Sequence, residues 1–162
     1  TFRFFSEALI RVLLGAMAIA FVAHRMRLGG TGAPAVEPSR AKGLFWSTVS
    51  GLTSTIAHAG GPPLSVYLLP QKLDKAILVG TTIVFFAVIN VVKLVPYLWL
   101  GLFDTRNLMT SLVLAPLAPF GIWLGVWLMR RLSQDLFYRI AYAMLVIVGV
   151  KLLWDGARGL AA

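Results

Sequence analysis

The 162 residues carry 15 Lys and Arg against 6 Asp and Glu, a formal net charge of +9, yet 59% are hydrophobic and only 13% charged, with a mean hydropathy of +0.83. That balance leaves a soluble fold too little polar surface and places the chain in lipid; the basic residues fall in short links between apolar runs, so they read as topology signals and not as a nucleic-acid surface. With no cysteine, disulfides, thiolate metal sites and thiol catalysis are excluded, two histidines without neighbouring carboxylates make no usual zinc site, and no cofactor is expected.

The first predicted helix covers about residues 5–23. Its apolar run, Val12 to Ala23, follows Arg3 and Arg11, and Ala18-Ile19-Ala20 imitates a signal-peptide cleavage site. The run continues past that site and further membrane segments follow, so it is read as the last helix of a preceding repeat, with an N-terminal half of the same protein expected ahead of Thr1. Residues 24–42 hold Gly29, Gly30, Gly32, Pro34 and Pro38 with four basic residues, a composition for an aqueous linker. A second transporter repeat is expected over 43–162. It opens with Gly43 to Gln71, 29 residues without Lys, Arg, Asp or Glu, predicted as a broken segment over 43–70. The break falls at Gly60-Gly61-Pro62-Pro63, where two glycines relax the backbone and two prolines remove amide donors. Irregular backbone at that depth must line protein or a watery cavity. Helices follow at 77–103, 107–129 and 135–155; Leu108 to Met129 is 22 residues without a charge, where a span needs roughly 20.

Charge counting decides whether the broken segment crosses the bilayer. If it crosses, seven basic residues collect on one side and six on the other, with no bias. If it returns as a hairpin, one side holds nine (Arg25, Arg27, Arg40, Lys42, Lys72, Lys75, Arg130, Arg131, Arg139) against Arg3, Arg106, Lys151 and Arg158. The positive-inside rule selects the second count. A re-entrant hairpin entering from the cytoplasm is therefore expected, with the links at 24–42, 71–76 and 130–135 cytoplasmic. The expected fold is an all-α polytopic membrane protein of four transmembrane helices plus this hairpin. A shift of 127 pairs Leu9 with Leu136, Ala16 with Ala143 and Met17 with Met144. That weak repeat points to one half of an inverted-repeat transporter.

Chemistry-bearing residues cluster in two places. Near the break, His58 ends the first half-helix, where the macrodipole favours a cation, and amides opening the second half-helix near Pro62 suit an anion. The plainer reading is a histidine bonded to a carbonyl for packing. On the next helix Thr82, Phe86, Asn90, Lys93 and Tyr97 share a face. Lys93 stands roughly 26 Å along the helix from Ala76, so it either snorkels to the outer interface or lies on an anion path. Ser50, Thr53, Ser54, Thr55 and Gly80-Thr81-Thr82 offer hydroxyls that bind substrate or pack helices. Gly51, Gly121 and Gly125 read as close helix contacts, and Trp99, Trp123, Trp127 and Trp154 as interface anchors or lipid-facing bulk. Thr48-Val49-Ser50-Gly51 lacks the first glycine of an intramembrane serine protease tetrad, and His58, two turns on, is a poor base for Ser50, so the chain is not read as an enzyme.

The run from Ser50 to Pro63, with Ala57-His58-Ala59-Gly60-Gly61-Pro62-Pro63 at its centre, then Tyr67-Leu68-Leu69-Pro70-Gln71, Val79-Gly80-Thr81-Thr82 and Asn90-x-x-Lys93-x-x-Pro96-Tyr97, resembles the sulfite exporter TauE/SafE family of bacterial membrane proteins. The resemblance covers about residues 40–155, in the pattern of the family's second half. It implies export, or sometimes uptake, of small sulfur-containing or organic anions such as sulfite and sulfonates across a bacterial inner membrane, without ATP hydrolysis by this chain and with coupling to ions or protons. Carried onto this sequence, it singles out His58, Gly60 and Gly61 at the break and Thr81, Thr82, Asn90 and Lys93 on the next helix as substrate-binding. The partners it implies are the anion, the bilayer and the preceding half of the protein. The alternative is a non-transport membrane subunit whose polar stripe packs against a partner.

Overall fold

The computed structural model describes residues 7–99, 109, 111 and 113–161. Among these there is no strand. The elements are α1 (Glu7–Arg27), α2 (Arg40–Ile56), α3 (Gly61–Leu68), α4 (Lys75–Trp99), α5 (Leu117–Arg131) and α6 (Gln134–Ala161), with 3-10 turns at Gly30–Gly32 and Leu69–Gln71. Three of them, α1, α4 and α6, are long and apolar enough to cross a membrane. The chain is a polytopic α-helical membrane protein. Of the helix expected at 107–129, the parts at 107, 108, 110 and 112 lie outside the described residues, as do 5–6 and 100–103 of two others.

Several expected boundaries are corrected. The first helix does not stop at residue 23: it runs to Arg27, with His24, Arg25 and Arg27 in its last turn, where cations offset the exposed carbonyl end of the macrodipole. The last helix passes residue 155 and ends at Ala161. The linker shrinks accordingly, since α2 already begins at Arg40. What remains turns on Gly29 and Gly30, with φ of 107° and 59°, a left-handed backbone that glycine adopts at little cost. The broken segment expected over 43–70 is two helices, α2 and α3, separated only by residues 57–60.

The chain forms two compact units, residues 1–74 with 135–162, and residues 75–134. In the first unit α1 and α6 lie antiparallel in close contact. A Cβ on Gly15 would stand 2.6 Å from the Gly149 carbonyl oxygen, one on Gly149 3.0 Å from Ile19 Cγ1, and one on Gly156 2.6 Å from Val12 Cγ2. Further along, the rings of Phe21 and Tyr142 sit 6.2 Å apart. Small residues at such a seam let backbones approach, which is how helices associate where lipid removes the hydrophobic drive. The contacts therefore sit at Gly15, Gly149 and Gly156. At Gly121 and Gly125, expected to mark one, a Cβ meets no described heavy atom within 4 Å.

In the same unit α2 and α3 fold back on each other. The Val36 amide donates to the Pro70 carbonyl at 2.9 Å and the Tyr67 hydroxyl to the Ser39 carbonyl at 3.2 Å. The start of α2 and the end of α3 thus lie together, and the break is the hairpin's tip. Tyr138 at the start of α6 donates to the Leu73 carbonyl at 2.8 Å. In the second unit, Lys75 at the start of α4 bonds the Leu132 carbonyl through Nζ, and its amide is capped by Gln134 Oε1 at 3.0 Å. Much of the apolar surface faces outward, with Val84 63%, Val91 65% and Trp99 87% exposed. An aqueous fold would bury such a surface, and a bilayer solvates it.

Candidate functional site

The hairpin tip is built from local rules. The α2 helix ends where His58 takes φ 51°, a left-handed value that histidine tolerates better than most residues. The Thr53 carbonyl accepts both the Ala57 amide at 3.0 Å and the Ala59 amide at 3.2 Å, so the last turn is closed. Ser50, one of the largest fully buried side chains, donates to the Gly60 carbonyl at 2.6 Å across the break. Ala57 and Ala59 pack against Ile10 and Leu14 of α1, with Met17 and Leu152 at the edge. The hydroxyl of Ser50 is thereby used as a fastener, which leaves it neither nucleophile nor substrate ligand.

The reason for the two glycines differs from the expected one. Gly60 has φ −75° and ψ −17°, ordinary right-handed values, and the left-handed residue is His58. Gly61 is exposed, and a Cβ there would meet nothing within 4 Å. It thus leaves open room beside the backbone. The helix start is also poorer in donors than expected, because Pro62 and Pro63 follow Gly61 directly and carry no amide hydrogen. Leu64 N–H already reaches the Gly60 carbonyl at 3.4 Å. The amides of Gly60 and Gly61 are what the α3 terminus can offer an anion.

Side chains supply the rest. A cavity of about 420 Å³ opens at the tip, lined by His58, Gly61 and Pro62, by Arg11 of α1, and by Lys151 and Asp155 of α6. Arg11 is ion-paired with Glu7, one turn before it, and stays a third exposed. Lys151 is exposed. Arg11, Lys151 and His58 therefore converge on one space with Asp155 opposing them. Charge-assisted donors of this kind bind oxyanions more strongly than neutral ones. In the sequence alone Lys151 is a topology signal and Arg11 part of a signal-like flank. The signal available was spacing: Val148, Lys151, Leu152 and Asp155 share one face of α6, beside the glycine face that meets α1.

Of the residues singled out in the sequence, His58, Gly60 and Gly61 come together at the tip. Thr81, Thr82, Asn90 and Lys93 lie on α4 in the second unit. Within α4, the Thr82 hydroxyl donates back to the Leu78 carbonyl at 2.8 Å, and Thr81 and Asn90 are exposed. Lys93 is 7% exposed, enclosed by protein, which is the opposite of a side chain reaching for an interface. Trp99, Trp123, Trp127 and Trp154 are outward-facing, and Arg131 and Arg158 lie over the Trp127 and Trp154 rings at 5.3 and 5.7 Å. Among the described residues no three His, Asp or Glu side chains converge as a metal-binding group.

Compared with known proteins, the chain matches one family model, sulfite exporter TauE/SafE, over residues 1–152. The match thus extends through α1 and the linker, beyond the 40–155 carried by the motifs. Searches of curated proteins and of solved structures each gave no match.

Proposed function

Since the chain belongs to the sulfite exporter TauE/SafE family of membrane transporters, and is not an enzyme, we propose that it exports small sulfur-containing or organic anions, such as sulfite and sulfonates, across a bacterial inner membrane through the cavity at the hairpin tip. The observation that carries this reading is the convergence of Arg11, Lys151 and His58 on a space bordered by the Gly61 backbone. An anion entering the membrane loses hydration, and cationic side chains beside the Gly61 backbone at the start of α3 offset part of that loss. At about 420 Å³ the cavity has room for roughly a dozen water volumes as well as the anion. A wet site with modest compensation binds weakly enough to release its ion, as conduction requires.

Two further elements belong to the proposal. His58, at the tip, is the group proposed to couple anion movement to protons. Thr81, Thr82, Asn90 and Lys93 line a part of the path carried by α4; burial of Lys93 supports a role inside the protein. The hairpin returns to the side it enters from, which the Val36 amide bonding the Pro70 carbonyl supports, because a crossing segment would hold those residues on opposite faces of the membrane; entry from the cytoplasm rests on the excess of basic residues in the links.

The test is flux of sulfite and a short sulfonate in proteoliposomes holding the protein, with Arg11→Gln, Lys151→Gln, His58→Asn and Lys93→Ala. Asparagine is chosen at 58 because it accepts the left-handed backbone, so a loss reports the imidazole and not strain. Flux is expected to fall in the Arg11, Lys151 and Lys93 variants, and to lose its pH response in His58→Asn. Wild-type flux in all four variants would refute the assignment of the site.

A further inference from the structure

A second cavity, of about 340 Å³, lies in the same unit at the opposite end of α1 and α2. Arg25 and His24 at the end of α1, and Lys42 near the start of α2, converge there with Trp46, Tyr67 and Glu37. The distance from Arg11 to Arg25 is 14 helical residues, roughly 21 Å by helical rise. The two cavities are therefore separate sites.

Arg25 is the unusual member. It is 4% exposed, its guanidinium reaches the Pro34 carbonyl through a long 3.4 Å hydrogen bond, and its Nε is the one buried side-chain N or O atom among the described residues without a partner. Buried donors are normally satisfied, and a guanidinium asks for a planar oxyanion. Glu37 lines the cavity but leaves Nε unmatched. With Arg25, Lys42 and His24 against one carboxylate, the space favours an anion.

Most of the remaining lining is apolar (Phe21, Leu28, Val36, Val66 and Pro70), and its one polar member, Gln71, donates its side-chain amide to the Tyr67 carbonyl at 2.9 Å. A small inorganic anion has no use for such a wall. A phospholipid does, because its glycerol and first methylenes leave the phosphate on an apolar side. The position fits as well. The cavity sits at the end of a membrane-length helix, on the side where Arg25, Arg27, Arg40 and Lys42 concentrate, and Trp46 and Tyr67 have the amphipathic character of interface aromatics. Basic pockets between helices at the cytoplasmic surface recognise anionic headgroups by this combination. We infer that this cavity holds a phosphate oxyanion, supplied by an anionic phospholipid headgroup, with Arg25 as its buried anchor and His24 and Lys42 at the rim.

Native mass spectrometry of the purified protein tests this by counting retained molecules of phosphatidylglycerol, phosphatidylcholine, glycerol phosphate and inorganic phosphate. Phosphatidylglycerol is expected to be retained in preference to phosphatidylcholine, with neither soluble phosphate competing at equal concentration. Lys42→Gln should weaken retention about fivefold, the usual contribution of one surface cation near an anionic headgroup. Arg25→Gln should abolish the preference; Lys42→Gln and His24→Gln, at exposed positions, keep the test valid if the Arg25 variant does not fold. Equal retention of both lipids, an unchanged preference in Lys42→Gln and His24→Gln together, or effective competition by a soluble phosphate would each overturn the inference.

Discussion

Replacing Ser50 with Ala removes one hydroxyl and isolates what ties the hairpin tip together. Ser50 and Gly60 are ten residues apart and both buried, and the 2.6 Å bond between them spans the break. Without it the Gly60 carbonyl keeps only the long 3.4 Å bond from Leu64. Leaving a buried acceptor short of a partner costs roughly 1–3 kcal/mol, and the surviving weak bond places the loss at the lower part, about 1–2 kcal/mol. The same helix provides controls. Thr48 and Thr55 donate to the Leu44 and Gly51 carbonyls at 2.9 Å on its exposed face, where the carbonyls stay within the helical ladder. Thr48→Ala and Thr55→Ala should therefore stay within about 0.5 kcal/mol. Thermal unfolding of the detergent-solubilised protein, followed by tryptophan fluorescence, reads stability, and proteoliposome flux of sulfite reads the site. Ser50→Ala should lower the melting temperature clearly more than either threonine variant and lower flux with it. A Ser50→Ala shift no larger than that of Thr48→Ala would refute the idea that this bond fixes the tip.

Gly15→Val and Gly156→Val should each destabilise the protein by about 1–3 kcal/mol through overpacking of the α1–α6 seam, whereas Gly121→Ala and Gly125→Ala, with open space at the added carbon, should be neutral or slightly stabilising in the same melting assay. Gly61→Ala should leave the melting temperature unchanged, since nothing lies within 4 Å of the new methyl group, but reduce flux of a sulfonate more than that of sulfite by narrowing the cavity. A cysteine at Gln71 should react with a membrane-impermeant thiol reagent only from the face on which a cysteine at Val36 reacts; labelling of the two from opposite faces contradicts a returning hairpin.

The broad class was legible because it depends on sums. Long apolar runs and a shortage of charge leave few alternatives to a helical membrane protein, and α1, α4 and α6 follow from them. The break was legible too, because Gly60-Gly61-Pro62-Pro63 cannot continue a helix. Its internal mechanics were not. Composition points to the glycines as the flexible residues, while the left-handed turn falls on His58. Helix ends were misplaced for a related reason: charged residues at 24–27 look like a linker in sequence, but at a C-terminal turn they complement the macrodipole and prolong the helix.

The cationic members of the site were hidden by distance. Arg11 and Lys151 are 140 positions apart, and each has a plain local explanation, a flank or a topology charge. They meet because Gly15, Gly149 and Gly156 bring α1 and α6 into backbone contact, an effect visible only once both helices are paired.

The division of labour within this unit follows from how its parts are held. The α1–α6 seam has backbone atoms in contact at several turns, so sliding one helix against the other would drive side chains into Gly15 or Gly156. Arg11 and Lys151 are thus carried on a stiff wall. The tip opposite is secured by one side-chain bond, two amides closing on the Thr53 carbonyl and a small apolar cluster, and its histidine already occupies a costly region of backbone space. Any rearrangement that admits or releases an anion should concentrate at residues 57–61 and leave the cations in place. Hydrogen exchange should therefore be faster at the amides of 57–61 than along the seam, and addition of sulfite should slow it there first; equal protection at the tip and along the seam would contradict this division.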